Sequence, residues 1–285
     1  MDCPKGAVMS NFDLLILGGG SGGYAAALRG AQLGLSVGLI EQDKVGGTCL
    51  HRGCIPTKAL LHAAEIADGA REGSHFGVKS TFDGIDMAGV NSYKDGVINK
   101  LHKGLSGLVK SRNITYVEGY GKLVAKDTVE VNGTRYTGKN VILATGSYAK
   151  TLPGLEIDGE KIITSDHGTK MSYVPKSVIV LGGGVIGCEF ASVWKSFGSE
   201  VTIIEGLPHL IALEDESSSK QLERAFRKRG INFELGVRFQ SATKTADGVT
   251  VTLEDGKSFT AEILMVSVGR GPVSANIGYE EQGIA

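Results

Sequence analysis

Residues 12–42 read "FDLLILGGGSGGYAAALRGAQLGLSVGLIEQ", and residues 176–206 read "KSVIVLGGGVIGCEFASVWKSFGSEVTIIEG". In each stretch an apolar run of strand length precedes the pattern G-x-G-x-x-G, a helical stretch follows, and a second apolar run ends in a glutamate. A constant offset superposes the glycines and the glutamate of one copy on those of the other. One supersecondary unit therefore occurs twice in the chain.

This repeated pattern is typical of a βαβ unit that binds a dinucleotide. The first glycine permits a tight turn, the second lets the backbone approach a pyrophosphate, and the third allows close packing of helix on strand. The phosphates lie at the helix N-terminus, and the glutamate can accept a hydrogen bond from a ribose hydroxyl. The two copies predict an α/β protein with two dinucleotide sites, built on Gly18, Gly20, Gly23 and Glu41 and on Gly182, Gly184, Gly187 and Glu205.

Glu205 indicates which nucleotide the second copy prefers. A carboxylate at this strand end accepts a hydrogen bond from the 2′-hydroxyl of NAD and repels the 2′-phosphate of NADP. The following "GLPHLIA" contains no arginine, so NAD is favoured. The alternative is that Glu205 is a solvated surface charge approached by Arg224 or Arg227.

The length of 285 residues predicts two domains, because a single hydrophobic core usually stops growing near about 250 to 300 residues. We predict a first domain over 1–150, a second over 151–272 and a return towards the first over 273–285, with Pro153 and Gly154 marking the first boundary. Each domain is expected to be Rossmann-like and three-layered, with antiparallel excursions.

The segments outside the repeat are expected to complete these domains. Amphipathic patterns predict helices at "EIADGAREG" and "YKDGVINKLHKGLSGLVKSR", and a charged helix at "EDESSSKQLERAFRKRG". Residues 114–136 read as short antiparallel strands with a hairpin turn at Asn132 and Gly133. The stretch "NVILATG" predicts a strand.

The composition and charge of the chain indicate which kinds of molecule it binds. A formal net charge of -1 gives neither the basic footprint of a nucleic-acid binder nor a polybasic membrane face. The N-terminal segment has no apolar signal region, and no long apolar run occurs, so a cytoplasmic location and small-molecule ligands are expected. Four cysteines are too few for a disulfide scaffold.

Cys49 and Cys54 leave three alternatives. Zinc needs two further ligands, but Cys3 lies in a terminal tail, Cys188 lies on the second repeat helix, and no paired Cys/His spacing occurs, so no metal site is predicted. A static bridge suits a reducing compartment poorly. A redox pair is favoured, because Pro56 suits a first helical turn and a thiol at a helix start favours the thiolate that exchanges disulfides.

Lys58 follows Cys54 on the same face of this predicted helix, where its charge could stabilise a thiolate; the alternative is a plain surface lysine. Cys188 is interpreted as a small packing residue and His51 as part of the loop structure.

Several stretches together resemble the flavoprotein disulfide reductases, and most closely the members that oxidise dihydrolipoamide. These stretches are "GGTCLHRGCIPTKALL" at 46–61, "ATGS" at 144–147, "LGGGVIGCEFASVW" at 181–194 and "VGRGP" at 268–272. The resemblance covers residues 12–285. It implies an oxidoreductase that passes electrons from a dithiol through a Cys49–Cys54 disulfide and FAD to NAD+.

The resemblance also implies roles for individual residues. Cys49 would exchange with the dithiol, Cys54 would face the flavin, and Lys58 and Glu189 would form an ion pair beside flavin and nicotinamide. The FAD residues would be Gly18, Gly20, Gly23, Glu41, Gly47, Thr48, Lys58, Gly121, Ala144, Thr145 and Gly146. The NAD residues would be Gly182, Gly184, Ile186, Gly187, Glu189, Glu205, Val237 and Gly269.

The family pattern continues beyond "NIGYEEQGIA" with a second FAD segment and an interface domain that supplies an acid-base histidine to the partner subunit. We therefore expect weak activity from this chain alone and a homodimer for the full-length protein. The implied partners are lipoyl groups of 2-oxoacid dehydrogenase complexes. The alternatives are a reductase of glutathione-like thiols or of mercuric ion, and a dinucleotide-binding fragment without turnover.

Overall fold

The computed structural model describes residues 8–284, and these divide into two compact units. The first unit contains the described residues up to Cys54, Val97–Tyr148, and those from Pro272 onward. The second contains Ile55–Gly96 and Ala149–Gly271. These units differ from the predicted boundary at 150 because residues 55–96 group with the second repeat. The predicted division into functional domains stays a prediction, and Cys3 lies outside the described residues.

The first unit is built on a six-stranded sheet in the order β3-β2-β1-β6-β5-β4. Its strands are β1 Val8–Leu17, β2 Val37–Glu41, β3 Thr115–Glu118, β4 Gly121–Ala125, β5 Thr128–Val131 and β6 Thr134–Leu143. The β3, β2, β1 and β6 neighbours are parallel, whereas β4, β5 and β6 run antiparallel. The sheet is therefore a parallel βαβ arrangement with an antiparallel extension, as predicted.

Helices cross over between these parallel strands because parallel neighbours cannot be joined by a tight turn. The chain forms α1 Ser21–Gln32, α2 Gly47–His51, α3 Cys54–Glu72, a 3₁₀ helix at Gly73–Phe76, and α4 Met87–Ser111. Buried apolar side chains on both faces of the sheet, including Leu15, Ile16 and Leu39, form the core of the first unit.

The second unit repeats the parallel architecture with strand order β11-β10-β9-β15-β8 and carries a small antiparallel sheet, β12-β13-β14. Its parallel strands are β8 Ile162–Thr164, β9 Ser177–Leu181, β10 Glu200–Glu205, β11 Asn232–Leu235 and β15 Ile263–Val266. The small sheet contains β12 Phe239–Lys244, β13 Val249–Leu253 and β14 Ser258–Ala261. The helices are α5 Ser165–Gly168, α6 Val185–Phe197 and α7 Glu216–Lys228.

The core of the second unit centres on α6. Phe190 and Trp194 on this helix are buried, with ring centroids 5.2 Å apart. Short strands β7 Ser147–Ala149 and β16 Arg270–Pro272 pair where the chain passes from one unit to the other and back. A final 3₁₀ helix spans Glu280–Gln282.

The predicted helices are present, but one strand prediction was wrong. The stretch containing β3 is not antiparallel, because the long helix α4 precedes it and brings it back parallel to β2. The stretch "NVILATG" is strand as predicted as far as Leu143, but this strand, β6, begins earlier at Thr134 and pairs with both β5 and β1. The hairpin turn stands as predicted, with Asn132 and Gly133 both at positive φ.

Within residues 8–284, none of the helices combines the length and the apolar character that crossing a membrane requires.

Candidate functional site: two dinucleotide cavities and a cysteine pair

A cavity of about 140 Å³ lies at the carboxyl ends of β1, β2 and β6 in the first unit. Nine of the predicted FAD residues line it: Gly18, Gly20, Glu41, Gly47, Thr48, Gly121, Ala144, Thr145 and Gly146. The carboxyl edge of a parallel sheet is where such folds bind ligands. The sequence pattern and the cavity therefore coincide.

The glycines of the first copy are required by contacts in the turn. Gly18 has φ of 105°, and a Cβ there would collide with the carbonyl oxygen of Ala144. Gly23 does not line the cavity; it lies in α1, where a Cβ would collide with the carbonyl oxygen of Gly18. These contacts bring the N-terminus of α1 against the end of β1, and no acidic side chain occupies the first turn of that helix.

Glu41 is held rigidly at the end of β2. It is 9% exposed, and its two carboxylate oxygens accept hydrogen bonds from the backbone N–H groups of Gly19 at 2.6 Å and Asp43 at 2.9 Å. The carboxylate thereby fixes the glycine turn and also lines the cavity. A ribose hydroxyl could donate to a remaining lone pair of this carboxylate.

These residues fit a dinucleotide, because the glycine contacts leave the backbone open to a pyrophosphate at the start of α1. Gly20 and Gly47 face each other so closely that a Cβ on Gly47 would meet the α-carbon of Gly20 at 2.6 Å. At about 140 Å³ the cavity is smaller than the 300 to 1,000 Å³ of typical ligand pockets, so it encloses one part of such a cofactor.

The two cysteines lie on the consecutive helices α2 and α3. Helix α2 begins with Gly47 and Thr48, which line the cavity, and continues with Cys49, which is partly buried. Cys54 is exposed and begins α3. The chain therefore carries one cysteine on each of two consecutive helices, and the first of these helices begins in the lining of the cavity.

Two imidazoles hold the loop that leads to α2. Nε2 of His51 and Nδ1 of His102 lie 3.0 Å and 3.1 Å from the carbonyl oxygen of Val45, and the two rings are 5.0 Å apart. This contact agrees with the interpretation of His51 as loop structure.

Lys58 and Glu189 form the ion pair that the resemblance implies. The Lys58 Nζ lies 2.5 Å from the Glu189 carboxylate within the second unit. The lysine side chain is 58% exposed, so the pair contributes at most about 1 kcal/mol to the stability of the fold. Neither residue lines the two dinucleotide cavities, and their predicted roles beside flavin and nicotinamide stay predictions.

A larger cavity of about 660 Å³ lies at the corresponding edge of the second unit. The predicted NAD residues that line it are Gly182, Gly184, Ile186, Glu205, Val237 and Gly269. Gly187 lies behind the turn, where a Cβ would collide with the carbonyl oxygen of Gly182. Glu205 accepts hydrogen bonds from the backbone N–H groups of Gly183 at 2.6 Å and Leu207 at 2.7 Å. The second cavity thus repeats the turn and carboxylate of the first.

Replacing Glu205 with alanine is expected to weaken NADH binding by about 10- to 100-fold, because a charged acceptor for ribose and the anchor of the Gly183 turn are both lost. Fluorescence titration with NADH measures the effect. Glu200→Ala is the matched control, since Glu200 is an exposed carboxylate on the same strand. An unchanged affinity in Glu205→Ala would contradict the assignment of this carboxylate to the nucleotide.

Cys188 differs from Cys49 and Cys54 in that its side chain is buried. It is 5% exposed, its thiol donates to the carbonyl oxygen of Gly183 at 3.3 Å, and burial, with a contribution from Glu205, raises its pKa to about 12. Raising the pKa of a thiol disfavours the reactive thiolate. The expected result is that iodoacetamide alkylates Cys49 and Cys54 in the folded reduced chain while Cys188 is protected until denaturation. Peptide mass mapping checks this, and labelling of native Cys188 as fast as Cys54 would contradict it.

Sequence reasoning missed several residues of the first cavity, namely Leu17, Ile40, Gln42, Arg52, Gly119, Tyr120, Ser147, Val273 and Ile277. Most belong to loops whose contact with the cavity depends on the tertiary fold. Arg52 had a sequence signal, since it stands between the two cysteines in "CLHRGC". Among residues 8–284, no cluster of three or more histidine, cysteine or acidic side chains could hold a metal ion.

Both the sequence and the fold are similar to those of known proteins. The family model of pyridine nucleotide-disulphide oxidoreductases matches residues 12–285. A dihydrolipoyl dehydrogenase of Bacillus subtilis is 41% identical over 293 aligned residues, which cover 96% of this chain and 62% of the relative. The crystal structure of LpdA from Mycobacterium tuberculosis superposes with a TM-score of 0.88 at 26% identity, covering 97% of this chain and 62% of that one.

A Cu(II) complex of the HOCl-induced flavoprotein disulfide reductase RclA from Escherichia coli superposes with a TM-score of 0.83 at 27% identity, covering 97% of this chain and 60% of that one. The chain therefore spans about three fifths of the length of these relatives.

Proposed function

This chain belongs to the pyridine nucleotide-disulphide oxidoreductase family, and from that premise we propose that it is the dinucleotide-binding part of a dihydrolipoyl dehydrogenase. Membership of this family makes the protein an oxidoreductase and implies FAD and NAD(H) as its cofactors. The proposed substrate is dihydrolipoamide, carried by the lipoyl groups of a 2-oxoacid dehydrogenase complex. The proposed product is lipoamide.

One observation carries the proposal. Helix α2 places Gly47 and Thr48 in the lining of the first dinucleotide cavity and carries Cys49 as its next residue. Electrons that enter at Cys49 therefore have only a short distance to travel to a cofactor held by the glycine turn.

The chemistry of the cysteine pair is thiol-disulfide exchange. In the oxidised chain, a thiolate of the dithiol attacks the sulfur of Cys49, the Cys49–Cys54 bond breaks, and Cys54 leaves as a thiolate. The second thiol of the substrate loses its proton and displaces Cys49, which closes the lipoyl disulfide and leaves two reduced cysteines. Cys54 is the suitable leaving group because it starts α3, where the positive end of the helix stabilises negative charge.

FAD, when bound, supplies a carrier that accepts two electrons from thiols and returns them as hydride to NAD+. Within this chain, the proposed contribution of Gly18, Gly20 and Thr48 is to bind the diphosphate, and that of Glu41 is to orient a ribose. Gly182, Gly184 and Glu205 would do the same for NAD+. The carboxylate of Glu205 also excludes a 2′-phosphate, which favours NAD+ over NADP+.

The specific substrate separates this proposal from its alternatives, which are a reductase of other disulfides or of mercuric ion and a fragment without turnover. The dihydrolipoyl dehydrogenase of Bacillus subtilis, at 41% identity, supports the lipoyl substrate over the more distant RclA. The homodimer and the cytoplasmic location stay predictions for the whole protein.

The test is a thiol count on the oxidised chain reconstituted with FAD. Stoichiometric dihydrolipoamide is expected to generate two protein thiols, which disappear again when NAD+ is added and NADH forms. Reduced glutathione in place of dihydrolipoamide, and NADP+ in place of NAD+, are expected to give far slower reactions. Faster reaction with glutathione would favour the other reductases, and no change in thiols with either would favour the binding fragment.

A further inference from the structure

Arg52 is a charged side chain in the first cavity whose guanidinium has no counter-ion. It lines the cavity together with the glycine turn, and its Nε is fully buried without a hydrogen-bond partner. In the part of the chain that the structure describes, no carboxylate forms an ion pair with Arg52. Leaving a buried donor unpaired is costly, so a ligand that supplies an acceptor would be stabilised there.

Helix α2 sets the position of the Arg52 backbone. Arg52 is the C-cap of α2, directly after His51, and its N–H donates to the carbonyl oxygen of Thr48 at 2.9 Å. Arg52 therefore lies one helical turn beyond Thr48, which is itself a cavity residue. The side chain departs from the same short helix that carries Cys49.

The charges around the cavity leave Arg52 available for a ligand. Glu41 is the acidic residue of the described lining, and both of its oxygens already accept backbone N–H groups. The start of α1, with Gly18 and Gly20, adds the partial positive charge of a helix N-terminus and has no acidic residue in its first turn. A cation and a helix N-terminus together suit an anion with two phosphates.

We propose that Arg52 binds the diphosphate of FAD, its guanidinium donating to phosphate oxygens in the cavity that Gly20, at the start of α1, also lines. The inference rests on the proposed function, because it takes FAD as the occupant of this cavity. Arginine suits the role through its planar arrangement of donors, which matches phosphate geometry. The glycine turn alone binds through backbone groups, so Arg52 adds a side-chain contact to it.

The test uses ligands that differ in their phosphates. Arg52→Gln is expected to weaken binding of both FAD and ADP by about 10- to 100-fold, because each loses charge-assisted hydrogen bonds to its diphosphate. Binding of adenosine and of riboflavin, which lack phosphate, is expected to stay unchanged. Arg52→Lys keeps the charge without the planar donors and is expected to give an intermediate loss. Calorimetric titration of the ligand-free chain measures all four affinities.

The control is Arg112→Gln, since Arg112 is exposed beyond the end of α4 and does not line the cavity. Circular dichroism on each ligand-free variant shows whether the fold is retained; should Arg52→Gln not fold, the comparison of Arg52→Lys with Arg112→Lys carries the test.

Unchanged FAD and ADP affinities in a folded Arg52 variant would overturn the inference while leaving the proposed function intact. A loss confined to FAD and riboflavin would also overturn it, because the guanidinium would then contact the flavin. A wild-type chain that binds neither FAD nor ADP would overturn the proposed function as well.

Discussion

Replacing Cys49 with serine is expected to abolish the reduction of NAD+ by dihydrolipoamide, with a loss of at least about a thousand-fold. The reason is that serine has no sulfur to form the mixed disulfide. Replacing Cys54 with serine is expected to cause a loss of similar size for a different reason, since no Cys49–Cys54 disulfide can then form to accept the two electrons of the dithiol.

Mass spectrometry separates these two roles. Incubation of reduced Cys54→Ser with a linear disulfide is expected to give a lasting mixed disulfide on Cys49, because the departing thiol leaves the site and no second cysteine is present to displace the bound half. Cys49→Ser is expected to give little adduct on Cys54. Cys188→Ala is the control and should keep the wild-type rate, because that thiol is buried outside the pair. Adducts forming preferentially on Cys54 would reverse the assigned order.

Substituting Gly23 with alanine is expected to destabilise the first unit and abolish FAD binding. The added methyl group would collide with the carbonyl oxygen of Gly18, and backbone on both sides leaves little room to yield. Overpacking of this kind costs about 1 to 3 kcal/mol of unfolding free energy, and the shift separates the start of α1 from the turn that holds the diphosphate. Urea unfolding and FAD titration measure the two effects.

Gly22 offers a matched control one position away on the same helix. A Cβ there meets nothing within 4 Å. Gly22→Ala is therefore expected to preserve FAD binding and to stabilise the chain by about 0.5 to 1 kcal/mol, the usual gain from alanine in a helix interior. Equal losses in Gly22→Ala and Gly23→Ala would contradict the close packing of α1 on β1.

The sequence predicted those features of the fold that short-range patterns determine. The glycine turns, the helices and the two carboxylates at strand ends follow from spacing within about 25 residues, as the G-x-G-x-x-G fingerprint requires. The parallel placement of β3 and the unbroken course of β6 could not be read in this way, because they depend on which strands become neighbours in the sheet. The grouping of residues 55–96 with the second unit also depends on contacts distant in sequence.

The site residues likewise divide into those that local motifs predict and those that depend on contacts distant in sequence. Gly18, Gly20, Glu41 and Gly182 line their cavities because local motifs placed them there. Lys58 and Glu189 are far apart in the chain, and only the resemblance to a family paired them before the structure showed the contact. Arg52 was not identified from the sequence, because its place between the two cysteines does not show that its side chain lines the cavity without a counter-ion.

The central claim is that the cysteine pair exchanges electrons with FAD bound in the first unit. Anaerobic visible spectroscopy of the FAD-loaded chain, titrated with dihydrolipoamide and then with NAD+, tests it most directly. We expect a new long-wavelength absorption band after two electrons have been added, its loss when NAD+ removes them, and its absence in Cys54→Ser. A chain that holds no flavin, or a flavin reduced without that band in the wild type, would contradict it.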